Sequence, residues 1–252
     1  MPSSTLLGWT TRTSVSSLEL NMTSPEKEEE SHCLRRHNWS VQRRDALSRK
    51  YAEKVFSLLG EFNENAKEEK SSGTALAAAA AKRPAGYSVV DCGAAPGAWS
   101  QVAVQRVNST GTDPDSPRGT LIGIDLLNIP PLDGAHFLSN HDVMDPATHA
   151  KLQELLPGGQ AHVILSDMAP NASGFRDMDH ERIITMCFSL IDLAGKILQP
   201  RGSLLCKYWD GILTHQLQEK LSRLFGSVRS LKPDASRKDS AERFFLARMH
   251  KK

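Results

Sequence analysis

The run Val89-Val90-Asp91-Cys92-Gly93-Ala94-Ala95-Pro96-Gly97-Ala98-Trp99-Ser100 constrains this chain more than any other stretch. A β-branched apolar segment ends in an acid, passes through a glycine-containing turn and opens a helix. Gly93 and Gly97 let the backbone turn tightly and let a ligand approach the main chain without meeting a Cβ. In an open α/β sheet such a turn lies beyond the carboxyl ends of the strands, where ligands bind. The spacing is not Gly-x-Gly-x-x-Gly, Pro96 stiffens the loop, and no Gly-Lys-[Ser/Thr] is present. Neither a dinucleotide nor a nucleoside triphosphate is therefore favoured. Asp91 at the strand end suits the cationic, amino-acid end of a ligand.

Two further acids follow the next two strands. Asp125 ends Ile122-Gly123-Ile124-Asp125, where a carboxylate can accept from both ribose hydroxyls. Asp142, in His141-Asp142-Val143, follows the third strand and can meet an adenine amino group. Each alone reads as an ordinary loop acid. Three acids after three successive strands describe a pocket for an adenosyl ligand with an amino-acid tail, which fits S-adenosylmethionine.

The remaining pattern extends this unit. Strands are expected at Tyr87–Asp91, Thr120–Asp125, around His136–Leu138, and at His162–Ser166, Ser203–Lys207, Ser227–Leu231 and Arg243–Arg248. Helices are expected at Ala98–Val107, Ala147–Leu156, Asp179–Leu198 and Leu213–Phe225. Such alternation argues an α/β fold with a mostly parallel, Rossmann-like sheet covered on both faces. With no convincing helix between them, the final two strands are expected to pair antiparallel.

The chain has 252 residues, with 31 Lys+Arg against 29 Asp+Glu and a formal charge of +2. That balance excludes neither RNA nor a small molecule, because a basic patch can sit inside a neutral total. Residues 1–34 read as a disordered tail, 35–62 as a basic N-terminal helix, and 63–84 as a linker with an alanine run. The longest apolar stretch, Ala75–Ala81, is too short to cross a bilayer, so no membrane insertion is expected. The first twenty residues hold one Arg and no apolar core, so no secretory signal is expected and the mitochondrial signal is weak. Cys33, Cys92, Cys187 and Cys206 are too far apart for a metal knuckle or a redox pair, which reads as reduced thiols.

Four motifs, in order along residues 87–250, resemble the FtsJ family of RNA 2′-O-methyltransferases. They are Asp91 to Gln101, Leu165-Ser166-Asp167-Met168-Ala169-Pro170-Asn171, Cys206-Lys207, and Ser236-Arg237-Lys238-Asp239-Ser240-Ala241-Glu242. The likeness is greatest to the mitochondrial branch that acts on large-subunit ribosomal RNA. It implies a class I methyltransferase domain over 85–250, with seven strands and the last one antiparallel. It further implies S-adenosylmethionine as donor and a ribose 2′-hydroxyl of ribosomal RNA, typically of a uridine, as acceptor. Carried across, the cofactor positions are Gly93, Pro96, Gly97, Ala98, Trp99, Asp125, Asp142 and Asp167. The catalytic positions are Lys207, Asp167 and Glu242, with Glu242 orienting the lysine. The family's first lysine, on the helix before the cofactor strand, is replaced by Ser57, with Lys54 one turn earlier on a similar face. That departure leaves room for an RNA-binding assembly factor that keeps the cofactor fold without catalysis. A nicotinamide-dependent oxidoreductase is disfavoured by Pro96 and the missing glycine fingerprint.

Some features fall outside the resemblance. Asp177, Asp179, His180 and Glu181 offer metal-type ligands, but Asp179 reads more simply as the N-cap of the next helix, with its neighbours solvated. His162, in an apolar strand, reads as a packed histidine. Arg237, Lys238, Arg243 and Arg248 are candidate phosphate contacts near the site.

Overall fold

The computed structural model describes residues 46, 48–50, 52–54, 85–171, 173–232 and 240–252. The chain divides into residues 1–42 and 43–252, and every described residue lies in the second unit. The expected tail at 1–34 and the linker at 63–84 lie outside the described residues. Of the expected N-terminal helix, the described residues between 46 and 54 are helical.

Seven strands form one sheet: β1 (Ser88–Cys92), β2 (Thr120–Asp125), β3 (Ala135–Ser139), β4 (Ala161–Ser166), β5 (Leu198–Trp209), β6 (Phe225–Leu231) and β7 (Glu242–His250). Their spatial order is β3-β2-β1-β4-β5-β7-β6. The first five are parallel, and β7 lies antiparallel between β5 and β6. Helices α1 (Ala98–Val107), α2 (Pro146–Leu155), α3 (Arg176–Ile197) and α4 (Thr214–Leu224) connect and cover the strands.

Side chains alternate between two cores, as the period of a strand requires. Val90, Ile122, Ile164, Leu204, Cys206 and Phe245 pack with α2, α3 and α4. Val89, Leu121, Val163, Leu205, Phe244 and Leu246 pack with α1 and Ala52. Central strands buried on both faces explain the near-continuous apolar runs in the sequence.

Strand β5 is longer than the sequence pattern predicts. Pro200-Arg201-Gly202 reads as a break, but the register steps from Ala161↔Leu198 to Val163↔Ser203. The extra residues are absorbed as an irregularity within the pair, with Arg201 at φ 64°. Helix α3 begins at Arg176, with Phe175 as its N-cap residue, so the expected Asp179 cap is corrected. Asp179 sits one turn inside and reaches back to accept from Ser173 N at 2.9 Å and Gly174 N at 3.3 Å. Those hydrogen bonds hold its carboxyl below the usual range.

Candidate active site

The strand registers place four key residues side by side. Cys92 is level with Ile124 and Ser166, and Ser166 is level with Cys206. The next residue on each strand is Gly93, Asp125, Asp167 and Lys207. One line along the carboxyl edge of the sheet therefore carries the glycine turn, two acids and the lysine.

The turn is built as a cradle. Gly93 has φ 81°, and a Cβ there would collide with Met168 Cγ. Gly97 has φ 111° and caps α1, and a Cβ there would project into open space. The first N–H groups of a helix have no partner inside it, so the start of α1 faces this opening with donors. Pro96 is exposed, and Ala98 is buried in the first turn of α1. Trp99 contributes differently from its neighbours. Its indole is 4% exposed, stacks on Phe244 at 5.9 Å and donates to Ser48 Oγ at 2.8 Å. Only its main chain can meet a ligand, while its side chain holds the described helical residues around Ser48.

Asp125 is half-buried and shaped by its own turn. Its Oδ2 accepts from Ala95 N at 2.9 Å and its Oδ1 from Leu127 N at 2.8 Å. Each carboxylate oxygen has a second lone pair for a ligand hydroxyl. Asp142 is exposed, and its Oδ1 accepts from Met144 N at 2.8 Å. Two histidines brace its loop: His141 Nδ1 bonds Ser139 O at 2.7 Å and His149 Nε2 bonds Val143 O at 2.7 Å. Asp91 lies beneath the turn, 1% exposed, with Ser100 Oγ donating to Oδ2 at 2.6 Å. Its Oδ1 is buried with no hydrogen-bond partner among the described residues. Burial drives its pKa to about 7 against the Ser100 hydrogen bond, and the charges of Asp167 and Asp125 add to the rise. An open glycine cradle, strand-end acids and an unsatisfied buried carboxyl oxygen fit a ligand with hydroxyls, an amine and a cationic centre.

Lys207 lies at the centre of the adjoining cluster. Its Nζ is 2.8 Å from Asp167 Oδ1, 2.9 Å from Asp167 O and 3.6 Å from Glu242 Oε2. The Lys207 side chain is 11% exposed, and the Phe244 ring lies 5.9 Å from Nζ. Glu242 pairs with Trp209, two residues along β5 from Lys207 and on the same face. Burial raises the Asp167 pKa against the opposing pull of Lys207, and Glu242 raises it further.

The other sequence candidates separate. Arg243 pairs with Asp210 at 3.0 Å, close to this edge. Arg248 does not belong to the site: six residues of strand, ~20 Å, separate it from Glu242. It stands opposite Ser227 towards the other end of the sheet, with its Nε buried. Arg237, Lys238 and Ser57 lie outside the described residues, and Lys54 is exposed. No metal-holding group of His, Cys, Asp and Glu occurs among the described residues. His162 is half-buried, stacks on Tyr87 at 4.5 Å and accepts from Ser88 N at 2.9 Å.

The sequence pattern did not assign roles to Ser100, Met168, His149 or Phe244: Met168 and Phe244 act across strands, whereas Ser100 and His149 act locally, on Asp91 and Val143. It also placed His180 in solvent, whereas His180 is buried and accepts from Leu213 N. That contact spans 33 residues, and no local signal marks it.

The FtsJ-like methyltransferase family model matches residues 71–250. The chain belongs to this family. Among its relatives, the mitochondrial rRNA methyltransferase 2 of Drosophila melanogaster is 39% identical over 166 residues, covering 66% of each chain. The protein of the same name from Caenorhabditis elegans is 41% identical, covering 65% of this chain and 74% of its own. Ribosomal RNA large subunit methyltransferase E of Ruegeria sp. (strain TM1040) is 42% identical, covering 64% and 67%. The aligned part thus spans about two thirds of the length of these relatives. A crystal structure described as a ribosomal RNA methyltransferase from Plasmodium falciparum shares the fold, with a TM-score of 0.57 and 22% identity. It covers 66% of this chain and 87% of that one.

Proposed function

We propose that this FtsJ-like family member transfers a methyl group from S-adenosylmethionine to a ribose 2′-hydroxyl, that of a uridine, in mitochondrial large-subunit ribosomal RNA. The observation that carries the reading is Lys207 Nζ held between Asp167 and Glu242 beside the glycine cradle. The names of the relatives support ribosomal RNA, the large subunit and the mitochondrion.

Gly93, Gly97, the start of α1, Asp125 and Asp142 would hold the donor. When bound, S-adenosylmethionine supplies a methyl group already activated on a sulfonium. What remains for the protein is alignment and removal of one proton. An ammonium has three N–H groups. Two of them bond Asp167, at 2.8 and 2.9 Å, whereas the 3.6 Å approach to Glu242 is too long for a hydrogen bond. The third N–H is therefore available to the acceptor hydroxyl, where positive charge favours the developing oxyanion. Asp167, with its proton affinity raised by burial, is the carboxylate placed to take the hydroxyl proton. Glu242 fixes the direction of the ammonium from the far side. With this cluster intact, a role limited to RNA binding is not favoured.

The test is ribose-methylation mapping by mass spectrometry on ribosomal RNA incubated with the chain and S-adenosylmethionine. Lys207→Ala is expected to reduce 2′-O-methylation by ~100-fold or more while leaving S-adenosylmethionine affinity nearly unchanged. Undiminished methylation by that variant removes Lys207 from the mechanism.

A further inference from the structure

A cavity of about 220 Å³ opens beside Glu242, between the start of α3, the end of β5 and the start of β7. Its walls include Arg176, His180, Trp209, Asp210 and Glu242. The strand order β1-β4-β5-β7 puts it on the opposite side of Lys207 from the glycine turn. Along the sheet edge the sequence of features is cradle, Asp167 with Lys207, Glu242, cavity.

One wall holds an unsatisfied donor. His180 is 8% exposed, and its Nε2 accepts from Leu213 N at 3.0 Å. A neutral imidazole with an accepting Nε2 carries its proton on Nδ1. Nδ1 is buried and has no hydrogen-bond partner among the described residues. Buried polar groups of this kind are rare unless something outside the chain satisfies them. The loop after β5 holds the ring in place: a Cβ on Gly211 would lie 2.6 Å from His180 Cε1. The Asp210 carboxylate on the same rim is already paired with Arg243.

We propose that this cavity takes the base of the acceptor nucleotide, flipped out of the RNA. Trp209 supplies a stacking surface, His180 Nδ1–H, closed off from solvent, donates to a base oxygen after a small displacement of the wall, and Arg176 meets a neighbouring phosphate. This rests on the ribose-transfer reading. The carbon bearing the 2′-hydroxyl is bonded to the carbon bearing the base, so a hydroxyl at Lys207 puts the base within a sugar's width of Glu242. The volume lies below the ~300–1,000 Å³ of sites for drug-sized ligands and suits one base. Unstacked bases held by aromatic rings and edge hydrogen bonds are the usual targets of sequence-specific RNA recognition.

Two measurements test the pocket. Turnover is compared on a ribosomal RNA fragment carrying either uridine or an abasic ribose at the methylated position. Binding of uridine 5′-monophosphate and of ribose 5-phosphate is compared on the protein loaded with S-adenosylhomocysteine, where no turnover is needed. The native protein is expected to prefer the base-bearing member of each pair by ~10-fold or more. His180→Phe and Trp209→Ala should bring both ratios close to one while S-adenosylhomocysteine binding holds, although the melting temperature falls because His180→Phe unpairs Leu213 N and Trp209→Ala removes core packing. His180→Asn, which restores an N–H donor, should retain part of the preference. A native protein indifferent to the base, or variants that lose equally on both members of each pair, overturns the pocket. Absence of ribosomal RNA methylation by the native protein overturns the ribose-transfer reading instead, and the binding ratio then decides the pocket alone.

Discussion

Asp91 and Asp167 show how position within a few ångströms divides carboxylates of one type into different roles. Asp167 has Lys207 at 2.8 Å to stabilise its charge. Among the described residues Asp91 has only the Ser100 hydroxyl, and burial brings its pKa to about 7 from 3.8. Between those values the folded protein binds more protons than the unfolded chain, so this group lowers stability as pH rises across the window. The full penalty, on the order of a few kcal/mol, is present above pH 7. Thermal unfolding at pH 5 and pH 8 should show the native protein losing stability relative to Asp91→Asn, with the gap widening towards pH 8. Equal gaps at both values would mean that Asp91 does not titrate in this range. A second residue-scale prediction concerns Asp167. Because its pKa is raised, the methylation rate should climb with pH through a limb above the ordinary carboxylate range, and Asp167→Asn should abolish that limb.

At the scale of the element, α1 does two jobs with opposite faces. Its start, at Gly97, leaves the cradle open, and its Trp99 indole pins the segment around residues 46–54 through Ser48. Gly97→Ala should cost ~1–3 kcal/mol from left-handed strain, not from a clash, because no described residue lies within 4 Å of the added carbon. The methyl would project into the cradle, so calorimetric affinity for S-adenosylhomocysteine should also fall. Trp99→Phe keeps most of the stacking on Phe244 and removes the 2.8 Å bond to Ser48. Hydrogen exchange in residues 48–54 should accelerate by an amount matching ~1 kcal/mol, with the β-sheet core unaffected. At this scale the helical pattern places the start of α3 too late, because a local turn that periodicity does not report precedes it. Asp179 has a capping side chain, but the helix starts three residues before it, because Ser173 and Gly174 N–H groups fold back onto its carboxylate.

For the whole molecule, the sheet order decides the chemistry. Placing β4 and β5 beside β1 brings Asp167 and Lys207 level with Gly93, although 114 residues separate the glycine from the lysine in the numbering. Inserting β7 between β5 and β6 then delivers Glu242 from the end of the chain. Ligand binding should therefore report on global stability. At a hundredfold excess over its dissociation constant, S-adenosylmethionine should add about 2.7 kcal/mol and raise the melting temperature by ~5–10 °C.

By itself the sequence determined the alternation of strands and helices, the glycine turn and the strand-end acids. These depend on local periodicity and on backbone freedom at Gly93 and Gly97, which neighbouring residues encode directly. It also determined the antiparallel pairing of β6 and β7, since the sequence between them carries no convincing helical pattern. Which strand lies beside which, and so which charge meets which, was not local. The Lys207–Glu242 approach, the seating of the Trp99 indole and the burial of His180 all arise from contacts across 30 residues or more. Such contacts are set by how two cores close on either side of one sheet, and only the tertiary structure decided them.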